Sequence, residues 1–267
     1  MSVSARRARF RELHARERLF LMPNPWDVGS ARLLASFGFE ALATTSAGFA
    51  WSLGKPDQAV ARDELAAHVA AVAAATPLPL NVDSERCYPD DPGGIAETVT
   101  MLADAGAAGF SIEDYDPESD RIDDVGLAAE RVAEAAEAAH GLADPMVLTG
   151  RAENHIRGVD DFDDTIARLV AYRDAGADCV YAPGLSTMDQ VRAVVDAVGV
   201  PVNVLALASG PSVQELAAAG VRRVSTGGAL ARFSYGALLE AADELLSRGT
   251  SGYSKRAPSS GDLEQAF

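Results

Sequence analysis

The sequence predicts an α/β protein closed into an eight-stranded (β/α)8 barrel, and two regularities carry that prediction. Four helix-like runs end in glycine and are each followed by a short apolar strand. They are Ser36-Phe37-Gly38 before Ala41–Ser46, Ala105-Gly106 before Gly109–Glu113, Ala175-Gly176 before Cys179–Pro183, and Ala219-Gly220 before Arg223–Gly227. Glycine just past a helix takes up the left-handed conformation that satisfies the last carbonyls. Three further strands are announced by proline, which a strand tolerates at its start: Leu80–Asp83 after Pro77 and Pro79, Met146–Arg151 after Pro145, and Val202–Leu207 after Pro201.

Leu19–Met22 at the front brings the strand count to eight. The segments between strands carry helical spacing, as in Leu65–Val72 and Asp163–Val170. Short buried strands alternating with helices mean a parallel sheet. A doubly wound open sheet is the alternative, weakened because no G-x-G-x-x-G follows the first strand. Tyr235–Arg248 reads as a last amphipathic helix. The expected organisation is one barrel domain over residues 1–248, including an N-terminal helix, and a flexible polar tail over 249–267.

Composition narrows the function. The 267 residues carry a net charge of −16, which argues against nucleic acid or an anionic membrane as partner. No apolar stretch approaches the roughly 20 residues of a membrane span. Residues 4–11 are basic and lack an apolar secretion core. They read as the start of an amphipathic helix running toward Arg18, with an organelle transit peptide as the alternative. Two cysteines, Cys87 and Cys179, make no disulfide framework, which fits a reducing cytoplasm.

In such a barrel the active site lies at the C-terminal ends of the strands. Asp57, Asp83, Glu85 and Glu113 each follow an apolar run, so they are placed to gather at that rim. Asp83 and Glu85 are two apart and would share a strand face, with Glu113 on the next strand. Acids this close repel unless a cation intervenes, and oxygen-only ligands favour Mg²⁺, with Mn²⁺ possible. Arg151 ends strand five and suits a substrate carboxylate, which its fork can bind in bidentate fashion; pairing with Glu153 is the structural alternative. Thr45 ends strand two, and the loop Ser46-Ala47-Gly48 offers small side chains and amides for a carboxylate or enolate oxygen. Asn203 and Gly228 complete the rim on strands seven and eight.

These stretches resemble the isocitrate lyase/phosphoenolpyruvate mutase superfamily, in its carboxyvinyl-carboxyphosphonate phosphorylmutase-like and 2-methylisocitrate lyase-like subgroup. The resemblance rests on residues 23–32 (PNPWDVGSAR), 44–50 (TTSAGFA) with 53–57 (LGKPD), 81–85 (NVDSE), 109–114 (GFSIED), 149–153 (TGRAE) and 220–229 (GVRRVSTGGA). It implies Mg²⁺ held by Asp83, Glu85 and Glu113, partly through water, with Asp57 in support. Arg151 and the amides near Ser46 and Ala47 would hold the substrate. It also implies a homo-oligomer, tetramer or dimer, with a C-terminal helix swapped between subunits. Departures accompany the matches. Residues 115–124 contain no Cys, His or Lys where the lyases carry a K-[KR]-C-G-H loop, and Tyr181-Ala182-Pro183 stands where phosphonate enzymes usually have a histidine. Cys87 replaces a typical glycine and is expected to pack; His155 is expected to be a surface or supporting group.

The expected activity is Mg²⁺-dependent cleavage of a C–C bond in a small 2-oxo or 2-hydroxy dicarboxylic acid through a pyruvate-type enolate, by a decarboxylase or a methylisocitrate-lyase-like enzyme. Decarboxylation needs the fewest acid/base groups, because CO₂ leaves without a proton. Mutase or hydrolase chemistry at a P–C bond is one alternative, and a catalytically silent acid-binding barrel another.

Overall fold

Alternation within each strand decides which way this barrel faces. The computed structural model covers residues 1–267. Its eight parallel strands are β1 (Phe20–Met22), β2 (Leu42–Ala43), β3 (Leu80–Asp83), β4 (Gly109–Glu113), β5 (Val147–Arg151), β6 (Cys179–Tyr181), β7 (Val202–Leu205) and β8 (Arg223–Ser225). They pair in the order β1-β8-β7-β6-β5-β4-β3-β2, the nearly closed circuit of a (β/α)8 barrel. Leu80, Val82, Phe110, Ile112, Leu148, Val180, Val204 and Val224 belong to the main apolar core. Their neighbours in sequence point the other way: Asn81, Ser111, Asn203, Arg223 and Ser225 line the barrel's central cavity. The dry core therefore lies outside the barrel wall, and the lumen is polar.

The seam between β1 and β2 carries no ladder. It is held by Ala43 N–H to the Pro23 carbonyl (3.1 Å) and by the side chain of Asn24. The Asn24 amide donates to the Thr44 carbonyl (2.7 Å), and its oxygen accepts from the amides of Thr226 and Gly227 (both 2.9 Å). One buried side chain thus staples β2 to the segment after β8. Asn24→Ala would strand three main-chain groups, each costing about 1–3 kcal/mol when buried and unpaired. We expect a loss of about 3 kcal/mol in urea unfolding; a change below about 1 kcal/mol would mean the seam is held elsewhere.

The basic N-terminal segment forms the helix Val3–Ala15, which plugs the bottom of the barrel. Phe10 and Leu13 join Phe20, Met22 and Val147 in a second apolar cluster. Its arginines satisfy main-chain carbonyls: Arg6 donates to Ala73, and Arg7 to Ala103, Ala107 and Asp144. Ala73 and Ala103 lie in the last turns of Arg62–Ala75 and Gly94–Asp104, where a cation also meets the negative end of the helix dipole.

His14 sits under the lumen. Its Nδ1 is 2.8 Å from the Phe10 carbonyl and its Nε2 is 3.1 Å from Arg223 Nη1. A guanidinium can only donate, so Nε2 accepts, Nδ1 carries the proton and the ring is neutral. Burial, with Arg223's charge behind it, pushes the pKa down from 6.5 to about 3. An unfolded His14 takes a proton near pH 6.5 and the folded one stays neutral to about pH 3. The stabilisation is therefore complete above pH 6.5 and is lost as pH falls toward 3, at up to about 1.4 kcal/mol per pH unit. His14→Gln should flatten the acid side of the stability–pH curve; parallel curves for variant and wild type would contradict this.

After β8 the helix Ala229–Arg248 runs six residues earlier in start than its sequence pattern suggested, and leaves Phe233, Leu239 and Leu246 in the open. The tail then forms a turn, Gly252–Arg256, and a short helix, Ser260–Ala266. No helix is long and apolar enough to cross a membrane.

Candidate active site

The strand ends open into a cavity of about 270 Å³. Asp57, Asp83, Arg151, Asn203 and Gly228 line it, as do Thr45, Ser46 and Ala47. Three sequence-predicted residues do not. Gly48 packs below, where a Cβ would come within 2.7 Å of the Thr45 methyl. Glu113 lies behind Arg151, and Glu85 is buried beside Asp83 and Asp57.

Register explains the convergence. Glu113 on β4 pairs with Arg151 on β5, and Arg151 with Tyr181 on β6. Arg151 becomes the hub. Its Nη1 lies 3.2 Å from Asp83 Oδ1 and 3.1 Å from Glu113 Oε2, and its Nε donates to Glu153 Oε1 at 2.5 Å. The Tyr181 ring lies 5.4 Å from the guanidinium carbon. Both readings of Arg151 meet here: it is paired with Glu153 and it faces the cavity. Its Nε and Nη1 are committed, so only Nη2 of the fork is left for a ligand, fewer donors than a bidentate grip uses.

The amides of the 46–48 segment are also partly committed. Ser46–Ser52 is a short helix capped by Thr45, where the sequence suggested a loop. Ser46 N–H donates to Asp83 Oδ2 (3.0 Å) and Gly48 N–H to Thr45 Oγ1 (3.3 Å). This ties Asp83 to β2 as well as to Arg151. Gln58, unremarked in the sequence, donates to Glu113 Oε1 (2.9 Å). Its φ of 66° and those of Glu85 (52°), Cys87 (61°) and Tyr88 (49°) lie in the left-handed region that non-glycine residues rarely occupy. Strain of this kind gathers at functional sites. Cys87 thus keeps the backbone conformation suited to a glycine, and its buried thiol packs against Ser84, with its pKa pushed up to about 12 by burial.

Burial raises the pKa of Asp57, with Asp83 adding to it, and pushes Glu85 up to about 8. Glu113 rises well above its ordinary value for the same reason, against the pull of Arg151. These acids are short of positive charge. Every side-chain oxygen the acids present is a carboxylate oxygen, and buried Glu113 Oε2 has Arg151 Nη1 beside it at 3.1 Å but outside hydrogen-bond geometry. That chemistry suits a hard divalent cation. No three His, Cys, Asp or Glu side chains are arranged to grip an ion directly, so a cation here would keep several waters and take one or two carboxylates.

Residues 115–124 form a two-stranded hairpin, Tyr115–Asp116 against Arg121–Ile122, which the sequence reading did not anticipate. It is tied down by Arg86 to Asp116 (2.7 Å) and by Arg157 over the Tyr115 ring. His155 bonds Thr165 and does not reach the cavity. Tyr181, Arg223, Trp51 and Arg232 also line it and are not among the expected site residues. For Tyr181 and Arg223 the signal was available, since period-2 alternation places both on the inward face.

Fold and rim together define a barrel with an acidic, arginine-centred site at its strand ends. Residues 10–246 match the phosphoenolpyruvate phosphomutase family model, and the chain belongs to that family. It is 33% identical over 214 residues to the oxaloacetate decarboxylase of Paraburkholderia xenovorans (strain LB400), covering 75% of this chain and 69% of that one. A Burkholderia cenocepacia J2315 structure, provisionally named a lyase/mutase, is 50% identical with a TM-score of 0.95, over 98% of this chain and 96% of the other. Oxaloacetate acetylhydrolase in complex with oxalate is 26% identical with a TM-score of 0.87, over 99% and 94%. The superfamily resemblance drawn from the motifs is thereby borne out.

Proposed function

We propose that this protein is a Mg²⁺-dependent lyase that cleaves a C–C bond in a small 2-oxo or 2-hydroxy dicarboxylic acid through an enolate, a pyruvate-type one from a 2-oxo acid, with decarboxylation as its simplest form. One observation carries the reading: the cavity at the strand ends is lined by Asp57, Asp83 and Arg151 but by no Cys, His or Lys. A site without those groups favours a step that needs no protein base. In decarboxylation the C–C bonding pair passes to the enolate as CO₂ departs, and a proton is needed only afterwards. Tyr181 stays protonated, since burial pushes it to about 12, and can give that proton directly or through water.

Asp83 would hold the ion, with Glu85 and Glu113 through water and Asp57 in support. When bound, Mg²⁺ supplies Lewis-acid polarisation of the 2-oxo group. Arg151 Nη2 and the Ala47 amide bind the substrate carboxylate, with Thr45, Ser46, Asn203 and Gly228 shaping the pocket. Relatives named for action on oxaloacetate support the substrate class. The family's own name favours the second reading, P–C bond chemistry on a phosphonopyruvate-type acid.

In this reading residues 1–248 act as one barrel unit with 249–267 as a tail. Exposed Phe233, Leu239 and Leu246 on the last long helix seat a second copy, as dimer or tetramer, with that helix exchanged. The cytoplasm suits two buried, unpaired cysteines. The test is pyruvate release from oxaloacetate, 2-methylisocitrate, 4-hydroxy-2-oxo acids and phosphonopyruvate, each with Mg²⁺ and with EDTA, against enzyme-free blanks. Mg²⁺-dependent pyruvate from a C–C substrate is the expected result. Phosphate release from phosphonopyruvate alone would favour the second reading, and no turnover with oxalate still bound would leave an acid-binding barrel.

A further inference from the structure

Arg223 is only 2% exposed, and no carboxylate lies within ion-pairing distance of it. Its partners are all neutral: Nε donates to Asn203 Oδ1 (2.9 Å), Nη1 to His14 Nε2 (3.1 Å) and Nη2 to Thr149 Oγ1 (3.0 Å). A guanidinium carries five N–H donors, so two remain without an acceptor. Arg223 also lines the lumen of the cavity, together with Asn81, Ser111, Asn203 and Ser225. Asn81 Oδ1 is buried there without a partner. A buried charge held by neutral groups alone is strongly unfavourable, and water in the lumen would satisfy donors without neutralising it. The acids of the rim do not serve, since Asp83, Glu113 and Glu153 pair with Arg151 and none of them reaches Arg223.

We propose that the floor of this cavity, in the barrel lumen below the rim, is an anion site in which Arg223 holds one small monovalent anion, a halide or a single carboxylate group. The two unsatisfied N–H groups of Arg223 supply the contact. The site is the floor of the cavity whose mouth holds Asp83 and Arg151, and Asn203 borders both.

Thermal unfolding at fixed ionic strength tests this, with sodium bromide or sodium formate replacing sodium gluconate, whose anion is too bulky for the lumen. The wild-type midpoint should rise by several degrees in the anion that fits. A response to bromide identifies a free halide site, and a response to formate alone a carboxylate site. Asn203→Asp places a carboxylate beside Arg223 Nε and should abolish the response. Crystals grown in bromide should show anomalous density next to the guanidinium, a readout that needs no variant. Equal midpoints in all three salts together with no bromide density, or an undiminished response in Asn203→Asp, would overturn the proposal.

Discussion

Arg151→Met should cost the protein about 3–5 kcal/mol of stability and remove detectable turnover. The stability loss follows from what Arg151 compensates: the side chains of Glu113 and Glu153 are 1% and 0% exposed, and both lean on this one guanidinium. Taking away one partner of a buried ion pair leaves an uncompensated charge, which is far worse than replacing the whole pair. Glu153 keeps Arg157 at 3.1 Å, so Glu113 bears most of the loss. Arg151→Lys separates the two roles. It keeps one positive charge, so most of the stability should survive in urea unfolding. A single ammonium cannot meet Glu153, Asp83 and a ligand together, so kcat/KM should still fall by about 10² or more. Full activity in the lysine variant would remove Arg151 from the binding site.

Asp83→Asn should lower Mg²⁺-dependent kcat/KM by about 10³ while the barrel stays folded. The substitution is nearly isosteric, and an amide oxygen can still accept from Ser46 N–H, now 3.0 Å from Oδ2. What disappears is the charge needed at the ion, where Lewis-acid stabilisation is worth several kcal/mol and each 1.36 kcal/mol is tenfold in rate. Asp116→Asn, in the hairpin bonded to Arg86, is the matched control and should change kcat/KM little. If both variants lost activity equally, the effect would reflect general acidity at the rim.

Much of this was readable in advance because local chemistry and global fold agree. β3 and β4 have the bounds their residues suggested, since Pro79 and Gly106 punctuate them sharply. Strand ends elsewhere were read too long. Ala41–Ser46 shrinks to Leu42–Ala43 because Thr45 caps a helix, and Cys179–Pro183 to Cys179–Tyr181 because Pro183 has no N–H for the ladder. The rim acids were visible from their place after apolar runs. Their partners were not, since Gln58 meets Glu113 across 55 residues of sequence and no local pattern encodes that bond. The basic N-terminus read as an amphipathic helix, but not what its arginines meet. Arg6 and Arg7 answer carbonyls exposed only once distant helices have ended. The polar lumen was legible in the alternation of Arg223, Val224 and Ser225, and reading strands only for their apolar residues hid it.

Calorimetric titration of Mg²⁺ into the protein with oxalate present, for wild type and for Asp83→Asn, tests the central claim most directly. One ion should bind per wild-type chain, with the heat largely lost in the variant. Absence of Mg²⁺ binding to the wild type, or equal binding by both proteins, would contradict a divalent-cation site at this rim.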